Sequence, residues 1–256
     1  MVGSPCTAFG SRGGEMKGTV IILGGGPVNG VGGALAARFA REGHHVLFTG
    51  RSIEKVQAAA DALAADGASI EAMQVDVTSA EDQDALFAKA ESMGPIAAVL
   101  YNAGNNAIIP FEQLTADLFE DFWRVACFGA FLTAQRAVPL LKTQGEGSLF
   151  FTGASGSLRG KPNFAHFASA KGALRNLLQS LAREFGPQGI HVAHFIIDGV
   201  IDGDRVRENY PDYLDQMGQD GALSPTSIAD AFWATHVQPR NAWSHEVELR
   251  PFKEKW

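Results

Sequence analysis

The chain is poor in cysteine, in clustered basic charge and in long apolar runs. Its 256 residues hold two cysteines, Cys6 and Cys127. They lie far apart and outside any metal-spaced cluster, so a reduced, cytoplasmic setting is the expectation. The formal net charge is −7 and no basic run occurs. Nucleic acid and anionic membrane are therefore not expected partners. No apolar run approaches the roughly 18 residues of a membrane span. Residues 1–15, "MVGSPCTAFGSRGGE", lack the hydrophobic segment of a signal peptide. Residues 1–16 read as a disordered leader, a cloning remnant or an upstream start, which leaves 17–256 for the fold.

What is present is a rhythm. A hydrophobic share of 46% suits one large globular domain. "TVIILGG" (19–25) is apolar throughout, as a strand covered on both faces should be. In "GVGGALAARFAREG" (30–43), Val31, Leu35 and Phe39 share one helical face and Gly43 marks the end. Strands are expected at 45–50, 69–77 and 96–104, with helices at 52–67 and 79–94 opened by Ser52 and Ser79. A long helical region over about 115–142, a strand at 147–153, a helix over about 164–186 and a strand at 190–197 follow. Residues 198–224 read as irregular, and a helix from about 225 and a strand near 244–250 close the chain. This alternation predicts an α/β fold: a Rossmann-type, doubly wound parallel sheet of seven strands with helices on both faces, a three-layer sandwich.

"GGGPVNGVGG" (24–33) stands between the first strand and the first helix. Gly26, Gly30 and Gly32 allow a tight turn there and a close approach of backbone to a pyrophosphate at the helix N-terminus, with Asn29 and Val31 in the same loop. About 20 residues further on, an acidic residue would accept a ribose 2′-hydroxyl. Gly50, Arg51 and Ser52 stand there instead. A guanidinium pairs with a 2′-phosphate, so NADP(H) is favoured over NAD(H).

With these motifs, "DV" at 76–77, "YNAG" at 101–104, Lys171 in "FAHFASAKGALR" and Gly199 after the sixth strand, the chain resembles the short-chain dehydrogenase/reductase family over nearly all of 17–250. The resemblance implies hydride transfer between a nicotinamide and a small-molecule carbonyl or alcohol. It implies that Asp76 and Val77 flank the adenine, that Asn102, Ala103 and Gly104 run along the cofactor with Gly199 and Val200, and that Lys171 bonds the nicotinamide ribose. It also implies a segment over the substrate at 198–224 and pairing into a homodimer or homotetramer through helices rich in Ala and Leu. The extension 242–256 could cross to another subunit or fold back.

The chain departs from the family where the proton chemistry sits. The usual tyrosine, four residues before the lysine, is Phe167, and the seven-residue spacing of the enoyl-reductase variant lands on Phe164. The serine position falls on Ala154, the asparagine position on Ala126, and Asp198 replaces a proline. A general acid contributes about 10²–10⁴ in rate and an oxyanion donor roughly 10²–10³ more. Ser155, Tyr210, Tyr213 and His166 are the candidate replacements, the last expected to face a loop or a neighbouring subunit. Trp123, Phe128 and Phe131 are expected mostly in the core. Rings at 164 and 167 favour a small apolar substrate and would lower the pKa of Lys171 by desolvation. Two functions remain: an NADP(H)-dependent oxidoreductase with an atypical donor acting on a small apolar carbonyl or activated alkene, or a catalytically silent NADP(H)-binding protein, a redox sensor or assembly partner.

Overall fold

The computed structural model describes residues 17–254 other than positions 66 and 105, so the expectation for residues 1–16 lies outside the described residues. Seven strands form one sheet: β1 (Thr19–Leu23), β2 (His45–Gly50), β3 (Ile70–Gln74), β4 (Ile96–Tyr101), β5 (Gly147–Thr152), β6 (Ile190–Ile197) and β7 (Glu246–Leu249). Their order is β3-β2-β1-β4-β5-β6-β7, and every neighbouring pair is parallel.

Successive side chains of a strand point to opposite faces, and both faces here are apolar. Ile21 and Leu23 of β1 join one core with residues of α3 (Ala80–Ser92), α5 (Gly129–Gln144) and α6 (Ala165–Phe185). Val20 and Ile22 join the other with residues of α1 (Val31–Arg41), α2 (Ile53–Ala64) and α9 (Pro225–His236). Each large side chain fully buried this way contributes about 2 kcal/mol. The result is the expected three-layer arrangement.

Expectations about two segments are corrected. The long helix over 115–142 is broken into α4 (Ala116–Trp123) and α5 by a π-helical turn at Arg124–Phe128. Tyr101, buried at the end of β4, donates its hydroxyl to the Val125 carbonyl. A Cβ on Gly129 would meet that hydroxyl at 2.5 Å. A side chain inserted into the helical ladder widens the turn. Segment 198–224 is not wholly irregular: it carries α7 (Asp204–Asn209) and α8 (Pro211–Met217). Pro211 at the first position of α8 suits a helix start, and Gly218, at φ 66°, ends it.

Trp123 and Phe131 are about two-fifths exposed rather than core. With Phe128 they form a stack on the outer face of the broken helix, and Arg124 lies 4.9 Å over the Phe128 ring. The described part of 242–256 folds back on its own chain. Trp243 stacks flat on His191 at 4.6 Å, and β7 pairs with β6. No helix of the described residues is long and apolar enough to cross a membrane.

Candidate active site

Strand order reverses between β1 and β4, and a cavity of about 1030 Å³ opens at the C-terminal strand ends there. In open parallel sheets this crevice is where ligands bind. Gly26 adopts φ 70°, and no atom lies within 4 Å of where its Cβ would stand. A Cβ on Gly32 would lie 1.9 Å from the Gly25 carbonyl oxygen, so only glycine lets α1 start against the end of β1. The N-cap of α1 is Gly30, with no side-chain cap and no acidic residue in the first turn. Its free N–H groups and helix dipole form a ready anion site. Gly26, Gly30, Val31 and Gly32 line the cavity. Asn29 does not. Its N–H donates to Asp204 Oδ2 at 3.4 Å and its carbonyl accepts from the Asp204 N–H at 3.1 Å, which ties the loop to α7.

Arg51 also lines the cavity, is exposed and makes no ion pair among the described residues. Ser52 is absent from the wall because its hydroxyl caps α2, accepting from the Lys55 N–H at 3.5 Å and donating to Glu54 at 2.8 Å. Asp76 and Val77 line the same end. Asp76 Oδ1 accepts from both the backbone N–H and the hydroxyl of Thr78, at 2.9 and 2.8 Å, which fixes the turn after β3.

One chain of hydrogen bonds crosses the cavity floor. Asn102 Nδ2 donates to the Gly24 carbonyl at 2.8 Å, and its Oδ1 accepts from Thr152 Oγ1 at 3.0 Å. The Thr152 carbonyl accepts from Lys171 Nζ at 2.7 Å. The Asn102 side chain thus joins β1, β4 and β5, while Ala103 and Gly104 border the opening. Lys171 is 4% exposed, and burial pulls its pKa down to about 8. Its Nζ lies 3.5 Å from where a Gly104 Cβ would be, so a side chain there would crowd the ammonium.

Beyond Lys171 rings alternate with polar groups, and Arg159, Lys161, Asp198 and Glu254 line the far side. Ala154, Phe164 and Phe167 line the cavity, and Phe167 packs over Gly156 and edge-on to Phe164. Ala126 is buried in the π turn. A second cavity of about 280 Å³ adjoins the first. The two share Asn106, Ser155, Phe164, Phe167, Gly199, Val200 and Tyr213. Tyr210 lines only the larger one. His166 neither lines a cavity nor faces outward: it is fully buried, against Phe122 at 4.2 Å and the Ala107 carbonyl at 3.2 Å.

Several wall and support residues were not legible in the sequence. Asp198 is 1% exposed and bridges Arg159 Nη2, at 2.9 and 2.8 Å, and Arg250 Nη2, at 3.3 Å. It therefore holds the loop after β5 to the ends of β6 and β7. Arg205 donates to the Asn106 carbonyl at 2.8 Å across the mouth. His194 lies fully buried beneath Gly153, where a Cβ would clash at 1.9 Å from its Nε2. Its Nε2 is 3.3 Å from Ser157 Oγ and its Nδ1 3.5 Å from Glu246, which Arg175 grips at 2.6 and 2.8 Å. Burial lowers the pKa of His194 to about 4, and the Arg175 hydrogen bond lowers that of Glu246 to about 2. Only the Asp-for-Pro departure at 198 hinted at any of this.

A switch-point cavity with a glycine turn, an uncapped helix and a buried lysine defines the dinucleotide-binding class of open α/β proteins. The short chain dehydrogenase family model matches residues 18–213, and the chain belongs to that family, whose members bind nicotinamide cofactors. It is 35% identical over 68% of its length to "Oxidoreductase asL5" of Sarocladium schorii, covering 68% of that protein. It is 30% identical over 80% of its length to the 3-oxoacyl-[acyl-carrier-protein] reductase MabA of Mycobacterium tuberculosis, covering 76% of it. A short-chain dehydrogenase from Rhodopseudomonas palustris superposes with a TM-score of 0.78 at 34% identity, over 92% of this chain and 99% of that one. A metagenomic short-chain oxidoreductase in complex with NADP superposes at 0.77 and 18% identity, covering 92% of this chain and 97% of that one, a likeness of fold alone.

Proposed function

We propose that the protein is an NADP(H)-dependent oxidoreductase that transfers hydride to or from a small apolar carbonyl or activated alkene, with a proton donor outside the usual position. The observation that carries this reading is the continuity of one cavity from the uncapped N-terminus of α1 to the buried Lys171. The residues fit the cofactor. The open face of Gly26 and the start of α1 would hold the pyrophosphate, and Arg51, which pairs with no carboxylate among the described residues, the 2′-phosphate. Lys171 would hold the nicotinamide ribose. Bound there, the reduced dinucleotide supplies a hydride.

The substrate end is walled by Phe164, Phe167 and Ile108, which suits an apolar molecule. The segment 198–224 covers that end, and the rest of the chain from 17 onward acts with it as a single domain. Assembly into a homodimer or homotetramer in a reducing cytoplasm completes the reading.

A second reading is favoured by one specific observation: positions 154 and 167 present no hydroxyl to the cavity. On it the protein binds NADP(H) without turnover. Calorimetry with NADPH and NADH, followed by NADPH oxidation against trifluoroacetophenone, phenanthrenequinone and cyclohexenone, separates the two. The oxidoreductase reading expects tight NADPH binding and turnover of at least one compound. Binding with none would leave the silent form.

A further inference from the structure

We infer that the phenol of Tyr213, carried by α8, is the proton donor of this site, with the Ser155 hydroxyl bonding the same substrate oxygen. The inference rests on the oxidoreductase reading. It begins from where a substrate has room. The glycine turn, Arg51 and Asp76 lie along the larger cavity at the cofactor's end, so the substrate belongs where the two cavities meet. Of the residues common to both, only Ser155 and Tyr213 carry a hydroxyl.

The other hydroxyls and acids nearby are committed elsewhere or lie off the junction, as do Lys161 and Glu254, which border only the smaller cavity, and Tyr210, which borders only the larger. The chain has three tyrosines. Tyr101 is buried on the Val125 carbonyl, and Tyr210 stands outside the smaller cavity. Thr152 donates to Asn102, and Ser157 lies beneath the wall against His194. His166 is buried on Ala107. Lys171 is held on the Thr152 carbonyl and does not border the smaller cavity. An arginine gives up no proton under these conditions. The hydroxyls of Ser155 and Tyr213 make no hydrogen bond among the described residues; that of Tyr210 is equally free, and it is the junction of the two cavities that separates them.

Position follows from the segment's ties. Asp204 bonds Asn29 at the start of α1, Arg205 bonds Asn106 across the mouth, and Lys253 bonds the Gln219 carbonyl beyond α8 at 3.0 Å. These hold α7 and α8 over the junction. Tyr213 is half exposed, which keeps it open to water. In the reducing direction the substrate C=O π bond breaks as hydride from the reduced dinucleotide reaches carbon. The electron pair moves to oxygen, the Tyr213 O–H bond breaks, and its proton completes the alcohol. Water then returns a proton to the phenolate. The acid has moved from the lysine's helix to the covering segment, so the donor is in place only when that segment is.

The test compares Tyr213→Phe, Ser155→Ala and the double variant Tyr213→Phe with Phe167→Tyr, using trifluoroacetophenone and NADPH. Tyr213→Phe should lower kcat by about 10²–10⁴ with NADPH affinity unchanged, and Ser155→Ala by roughly 10². Phe167→Tyr should restore turnover in the double variant, because it returns a phenol one helical turn before Lys171. A readout independent of turnover is nitration by tetranitromethane, followed by peptide mass spectrometry. NADP⁺ with trifluoroacetophenone at ten times its Kd should slow nitration of Tyr213 about ten-fold. Undiminished turnover in Tyr213→Phe, or nitration of Tyr213 unaffected by ligands, overturns the assignment and leaves the oxidoreductase reading standing. Wild-type protein that binds NADPH yet reduces none of the three compounds overturns that reading, and the assignment with it.

Discussion

The two halves of the cavity are built by different rules. The half around β1 and α1 is backbone: glycines whose Cβ atoms would clash, an uncapped helix, and one Asn102 amide joining three strands. The half around Phe167 is side chains, from the start of α6, the loops after β5 and β6 and the short helices α7 and α8, held by side-chain ties such as Asp198 to Arg159. Backbone geometry tolerates almost no change in residue type at its glycines. A wall of side chains can exchange its acid for a ring while the sheet beneath stays the same. A fold can therefore keep one ligand while its chemistry is rearranged next door.

The sharpest break of that contrast is Gly32→Val. Its Cβ would stand 1.9 Å from the Gly25 carbonyl, so the turn must open. NADPH affinity should fall more than about 10³-fold by calorimetry, a cost on the scale of severe backbone lesions. Retained affinity would show that the backbone half is more pliable than described here.

Acid should loosen the other half. His194 sits under the 153–157 loop, facing Ser157, Glu246 and, more distantly, Lys171. Its folded pKa, about 4, lies below the ordinary 6.5. Between those values the unfolded chain binds the extra proton, so stability rises with pH across this window and is lost as pH falls from 6.5 to 4. The loss is of the order of 3 kcal/mol. Thermal melts across that range should show it, and His194→Gln should reduce the slope without abolishing it, because burial also lowers the pKa of His236 to about 4. An unchanged slope in that variant would assign the effect to another group.

A smaller effect tests the adenine end. Arg51→Glu should turn the preference from NADPH toward NADH by about 100-fold in relative Kd, through loss of a charge-assisted pair and gain of repulsion. If the ratio stays put, the 2′-phosphate is read elsewhere. Smallest of all, Ala154→Ser with Phe167→Tyr should leave NADPH affinity within about two-fold, because neither residue touches the backbone half and distant sites are close to additive. A large change would mean that the halves are coupled.

Much of this was legible in the chain. The five inner strands follow from apolar runs, because strands covered on both faces must be apolar, whereas the edge strands β3 (IEAMQ) and β7 (EVEL) carry charged or polar residues and follow from the strand–helix rhythm. The glycine turn and Lys171 follow from spacing. The break at Arg124–Phe128 was not legible, since it is caused by Tyr101, more than twenty residues upstream in sequence and adjacent only in the fold. α7 and α8 were missed because both are short and polar, with no apolar periodicity to find. Asn29 and Ser52 fall in the right segments, yet their hydrogen bonds turn them to α7 and to the α2 cap. The partnership of Asp198 with two arginines depends on strand ends that meet only after the sheet closes.

Lys171 carries one last consequence. An ammonium with a pKa of about 8 is only partly charged in mildly alkaline buffer. Any guest that brings negative charge to the crevice, or shuts water out of it, must change how much of that population holds its proton. Occupancy and proton exchange with the buffer are then thermodynamically inseparable, and heats of binding measured in buffers of different ionisation enthalpy should diverge most near that pH.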